Sequence, residues 1–204
     1  MNQYEGYSGF GIPVQVTRRG TTPWDNEQST SDTIDRMIQL AHTGSRSPVI
    51  KAIANQCLQQ ASRQEDLRGL VRCVYQWVKG HVTFVEDETI AHELLGISYE
   101  DMNTPEGAID LVIAPEVLVQ MANPRGDCDC FSTLLASILI ALGFKTWFVS
   151  IKVDPQEPYR WSHVYIQTYL PDEGVTIPLD ASHGNYLGWE KTDGVFERKE
   201  WDVN

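Results

Sequence analysis

Three residues of this chain carry side chains suited to nucleophilic acyl transfer and stand where a fold can use them: Cys128, His163 and Asp180. Cysteine attacks as its thiolate. A thiol at the start of a helix gains from the helix dipole and from backbone N–H groups that lack an intrahelical partner. Cys128 follows Asp127, a good N-cap residue, and so takes about the first helical position, where its own N–H can face an oxyanion. The carboxylates of Asp127 and Asp129 oppose ionisation of the sulfur, because like charge nearby disfavours a second negative charge. An imidazole must therefore take the proton, and a carboxylate must orient that imidazole.

The elements that would position the trio follow from hydrophobic spacing. In GDCDCFSTLLASILIALG, residues Phe131, Leu134, Leu135, Ile138, Leu139 and Leu142 form a broad stripe at helical period, and Gly143 sits where a helix would end. This predicts a buried helix beginning near Cys128. Thr146 to Val153 is β-rich. Val164, Ile166 and Leu170 alternate in one strand, Val175, Ile177 and Leu179 in the next, and Pro171-Asp172-Glu173-Gly174 supplies the turn of a hairpin. If Leu170 pairs with Val175, His163 and Asp180 become diagonal neighbours on the face opposite Val164, Ile166, Ile177 and Leu179, free of burial among aliphatic groups. A one-residue slip would move Asp180 away. Taken singly, each residue has a plainer reading: a core thiol, a surface imidazole and a turn-forming aspartate. In this order and on these elements they point to a catalytic trio.

Upstream, Ser31 or Asp32 can cap a helix carrying Ile34, Met37, Ile38 and Ala41, with Gly44 as its stop. Ser47-Pro48 opens a second helix with Ile50, Ile53, Ala54, Cys57, Leu58 and Ala61. A third spans about Gln64 to Lys79 and is followed by a β-prone run over 81–85. The acidic stretch 86–112 allows short helices around Ala91 to Leu95 and Pro105 to Val112, and Pro115 to Met121 allows another. Residues 1–30, rich in Gly and Pro and without periodicity, read as a flexible N-terminal arm preceding one domain over 31–204. Cys57 and Cys73 read as structural thiols.

At 204 residues with 42% hydrophobic content, the chain can bury one core. Its net charge of −12, from 28 acidic against 16 basic residues, would repel a phosphate backbone and argues against nucleic acid. The longest apolar stretch falls short of a membrane helix. The N-terminus lacks the features of a secretory signal, so the four cysteines are expected to be reduced and the protein cytoplasmic. No cofactor and no metal is expected. A zinc set of Cys128, Cys130, His163 and His183 is the alternative use of these side chains, but the spacing lacks the paired Cys-x₂₋₄-Cys of strong zinc patterns.

From Gly126 to about Trp189 the chain resembles the transglutaminase-like superfamily. The residues that carry the resemblance are Gly126-Asp127-Cys128 at a helix start, Ala141-Leu142-Gly143 at its end, Ser162-His163-Val164 in a strand and Leu179-Asp180-Ala181-Ser182 closing another. Tyr75-Gln76-Trp77-Val78, Phe84-Val85-Glu86-Asp87 and Leu187-Gly188-Trp189-Glu190 are similar to the bacteriophage and prophage branch. The resemblance implies an α+β fold with a papain-like core: N-terminal helices and a buried catalytic helix packed on an antiparallel sheet. It also implies a Cys128-His163-Asp180 triad working through a thioester on an amide or isopeptide bond of a protein or peptide, with water or an amine as acceptor. A phage structural or assembly protein that keeps the fold with little turnover, in the host cytoplasm or the virion, is the other expectation. Phage relatives commonly read Asp-Cys-Asp-Asp, whereas Cys130 replaces the last Asp here. Cys130 lies about 200° around the helix from Cys128 and reads as a packing residue, with a resolving thiol as the lesser alternative.

Overall fold

The computed structural model describes residues 4–7, 13–18, 23–61, 66–102 and 109–203, with side chains from residue 26 onward. Strands β1 (Tyr4–Tyr7) and β2 (Pro13–Arg18) precede a 24-residue helix, α1 (Pro23–Arg46). Then come α2 (Pro48–Gln60), α3 (Leu67–His81), β3 (Thr83–Phe84), α4 (Asp87–Leu95), α5 (Tyr99–Met102), β4 (Ile109–Ile113), α6 (Pro115–Leu118) and β5 (Arg125–Gly126). The last part of the chain holds α7 (Cys128–Ala141), β6 (Thr146–Lys152), β7 (His163–Leu170), β8 (Val175–Leu179) and β9 (Glu197–Asp202).

The α+β class is as expected, with an antiparallel sheet of order β8-β7-β6-β9. Helix α7 is the centre of the molecule. Its apolar stripe wraps nearly all round, with Leu134, Leu135, Ala136, Ile138 and Leu139 fully buried, as befits a helix covered on every side. Helices α1, α2 and α3 pack on it, and so does strand β7. Asp127 caps it, its side chain accepting from the Asp129 N–H at 3.1 Å, so Cys128 takes the first helical position as the sequence predicts. The hairpin register also holds: Leu170 pairs with Val175 and Ile166 with Leu179.

Two further interactions place the site. Strand β3 pairs in parallel with β5, Phe84 opposite Gly126, and Val85 N–H donates to the Gly126 carbonyl at 3.0 Å, which fixes the backbone just before Cys128. From α3, the same continuous segment, Tyr75 Oη donates to the carbonyls of Asp180 (3.3 Å) and Gly184 (3.0 Å), and Lys79 Nζ to those of Ala181 (3.4 Å) and Gly184 (2.7 Å). The loop after β8 is thereby held from below.

Several expectations need correction. Within residues 1–30, read as an arm, β2 pairs with β4, and α1 begins at Pro23 and runs across the boundary drawn at residue 30. Tertiary contacts hold its polar first turns: Asn26 Oδ1 accepts the Trp161 N–H at 3.3 Å, and Glu27 pairs with Lys152 at 2.9 Å. Gly44 does not stop this helix. A Cβ there would lie 3.0 Å from the Pro115 side chain and 3.2 Å from that of Ser137, so the glycine permits close approach to α6 and α7. The short helix read over Pro105 to Val112 is a strand from Ile109 onward, with 103–108 outside the described residues. The β-prone run after α3 narrows to Thr83–Phe84, and β9 is an additional edge strand. No helix among the described residues is long and apolar enough to cross a membrane.

Candidate active site

His163 opens β7 and Asp180 directly follows β8, so the two-stranded register brings their side chains together: His163 Nε2 lies 2.7 Å from Asp180 Oδ2. The other carboxylate oxygen, Oδ1, accepts from Ser182 Oγ and from the His183 backbone N–H, each at 2.9 Å. Asp180 was expected on the face away from Val164, Ile166, Ile177 and Leu179, free of burial among aliphatic groups, and it is nevertheless only 1% exposed. That face of the sheet has a small core of its own, formed by Val149, Ile151 and Tyr165. Burial alone would raise the Asp180 carboxyl. The His163 hydrogen bond and charge, the His183 N–H and the Ser182 hydroxyl outweigh it and pull the group down to about 2. A buried carboxylate with three donors is thus kept ionised.

Cys128 is partly buried and shares with His163 the wall of a cavity of about 780 Å³. Among the described residues no hydrogen bond joins its sulfur to the His163 ring. The Nε2 contact with Asp180 leaves Nδ1 as the nitrogen available to a thiol. Burial first, then the charges of Asp127 and Asp129, push the Cys128 thiol well above its ordinary value, while the Val164 N–H works in the opposite direction. Asp129 is itself pushed well up, by burial and then by Asp127 and Asp87, which favours its protonated form and lessens the charge facing the sulfur. In this arrangement the neutral thiol is the favoured form of the sulfur.

Cys130 does not line the cavity. It is fully buried, its Sγ 3.5 Å from the Ile113 N and 3.4 Å from the Leu111 carbonyl of β4, which is the packing position expected. The alternative zinc set is consequently divided. Cys130 groups with Asp127 and Asp129, whereas His163 and His183 group with Asp180. Gly126 explains the small residue before the cap: a Cβ there would meet Cys130 Cβ at 2.4 Å. Gly126→Ala is expected to destabilise the protein by about 1–3 kcal/mol through overpacking at the first turn of α7, measured by chemical denaturation.

From the sequence alone, His183 has a place only in the alternative zinc set. That set is divided, and His183 nevertheless lines the cavity, its ring 4.7 Å from that of His163 and nearly perpendicular to it, with Phe84 on another side at 5.0 Å. The signal available was its position in the turn Asp180-Ala181-Ser182-His183, where the N–H three residues on returns to an aspartate side chain. No protein-family model matches the chain, and no curated protein matches it either.

Proposed function

We propose that this protein is a cysteine-dependent hydrolase or acyltransferase that acts on amide or isopeptide bonds of a protein or peptide through a thioester, in a papain-like, transglutaminase-like fold. The observation that carries the reading is the 2.7 Å contact of Asp180 with His163, a residue on the wall of a cavity that also receives Cys128 from a helix start. In acylation, His163 Nδ1 takes the Cys128 proton as sulfur bonds to the amide carbon. The C–N bond then breaks and the amine leaves with that proton. In deacylation, water or an amine attacks the thioester, and its proton passes by way of His163 to the departing sulfur. The Cys128 N–H, at the first position of α7, serves as one oxyanion donor.

The raised thiol makes a specific expectation about pH. A group held above its ordinary value ionises only at higher pH, so alkylation of Cys128 by iodoacetamide is expected to be slow near pH 7 and to keep climbing past pH 9, without the acid-side plateau of a preformed thiolate. At pH 7, His163→Ala should slow it by about tenfold or more, since the base is gone. Equal rates in the two proteins, read by the mass shift on Cys128, would sink the assignment of His163.

The same raised thiol favours a second reading, a phage structural or assembly component that keeps the fold with little turnover. On that reading a Cys128→Ala chain still joins the particle and assembly proceeds unimpaired.

A further inference from the structure

Ser182 lies between two groups whose hydrogen-bonding roles can be worked out from each other. Asp180 is ionised and so only accepts, which assigns the single Ser182 proton to Asp180 Oδ1 at 2.9 Å. The Ser182 oxygen is also 3.0 Å from His183 Nδ1. With its own proton committed, Ser182 Oγ can only accept there, so His183 carries its proton on Nδ1 and has its lone pair on Nε2. Asp180 acts on His163 in the complementary way, receiving the Nε2 proton and leaving the lone pair on Nδ1. One carboxylate therefore sets the tautomers of two imidazoles, one directly and one through a hydroxyl.

Both rings line the cavity with Cys128. The two ring centroids are 4.7 Å apart with their planes nearly perpendicular, so a small molecule in the cavity can meet both imidazoles at once. Burial and then the neighbouring His163 charge lower His183, which favours the neutral ring with an accepting nitrogen. Water and a primary amine each have two hydrogens on the attacking atom, enough to serve both imidazoles.

We propose that His183 is a second site histidine that binds the acyl acceptor, its Nε2 taking a hydrogen bond from the incoming water or amine while His163 Nδ1 removes the other proton, with Ser182 as its positioning residue. The inference rests on the thioester reading of Cys128 and adds the group that receives the second substrate. The chemical balance is unchanged: the acceptor's proton reaches the departing sulfur by way of His163, and His183 holds the attacking atom without titrating.

Two measurements test it. Ring ¹⁵N NMR should find His183 protonated on Nδ1 and His163 on Nε2, and Ser182→Ala should erase the His183 preference alone; His183 protonated on Nε2 would overturn the proposal whatever the activity. With p-nitrophenyl acetate as acyl donor, the nitrophenolate burst reports acylation of Cys128 and the later steady rate reports deacylation. His183→Phe, which keeps a ring against Phe84, should leave the burst rate within about twofold and lower the steady rate by about tenfold or more, with Ser182→Ala showing a smaller fall in the same step. Equal falls in both phases, or an unchanged steady rate, overturn the acceptor role alone. A wild-type chain lacking a Cys128-dependent burst overturns the thioester reading on which it stands.

Discussion

Replacing Cys128 with alanine is expected to abolish turnover, with a fall in kcat of about 10⁴-fold or more, while thermal stability changes little. The size follows from the role proposed for the sulfur: without that nucleophile no thioester forms, and residual rate can come only from the oxyanion donor and from binding. Stability should survive because Cys128 is partly exposed to the cavity and the capping bond that starts α7 belongs to Asp127 and Asp129. Hydrolysis of an acyl donor followed for both proteins, with circular dichroism as the folding control, checks this. Turnover retained in the alanine variant would remove Cys128 from the mechanism.

Asp180 should give the second large effect, and its two substitutions should differ in kind. In Asp180→Asn the amide can donate toward His163 Nε2, which moves the ring proton onto Nδ1, the nitrogen meant to accept from the thiol. A fall in kcat of about 10⁴-fold is expected with the fold retained. Asp180→Ala instead leaves three donors without their acceptor, namely the His163 ring N–H, the Ser182 hydroxyl and the His183 backbone N–H. About 3 kcal/mol of stability should be lost in denaturant titrations. The wild-type protein should also show an acid limb. The folded-state value of about 2 lies below the ordinary 3.8, so the carboxylate's stabilisation is complete above pH 3.8 and is lost as pH falls through 2. That difference corresponds to about 2 kcal/mol, and the limb should be absent from Asp180→Asn. An acid limb of the same size in the variant would place its origin elsewhere.

What the sequence discloses about this site is the part governed by local rules. A capping aspartate one residue before Cys128 and a four-residue turn with Leu170 and Val175 on either side are short-range features, and they place Cys128, His163 and Asp180 on the correct elements. What it hides depends on distant partners. The polar first turns of α1 look irregular until Trp161 and Lys152 are there to meet Asn26 and Glu27. Gly44 has the composition of a helix stop and the function of a contact, which only the positions of Pro115 and Ser137 reveal. Strand β9 reads Glu-Arg-Lys-Glu-Trp-Asp, a charged edge with no alternation of apolar residues, and it becomes a strand by pairing with β6. The burial of Asp180 was missed because the hairpin was read without α3, whose Tyr75 and Lys79 side chains reach the carbonyls of the turn that begins at Asp180.

The run from Leu67 to Phe84 touches both halves of the site: its helical part grips the turn behind Asp180, and its final residues pair with the backbone in front of Cys128. The gap between sulfur and imidazole is therefore gauged by a single stiff ruler, and small displacements at separate interfaces do not add up along a longer path. Loosening at the sheet's outer edges, around β9 or the hairpin tip, can proceed without pulling the reacting groups apart. Drift of those edges under heat or mutation should cost the protein firmness long before it costs the site its alignment.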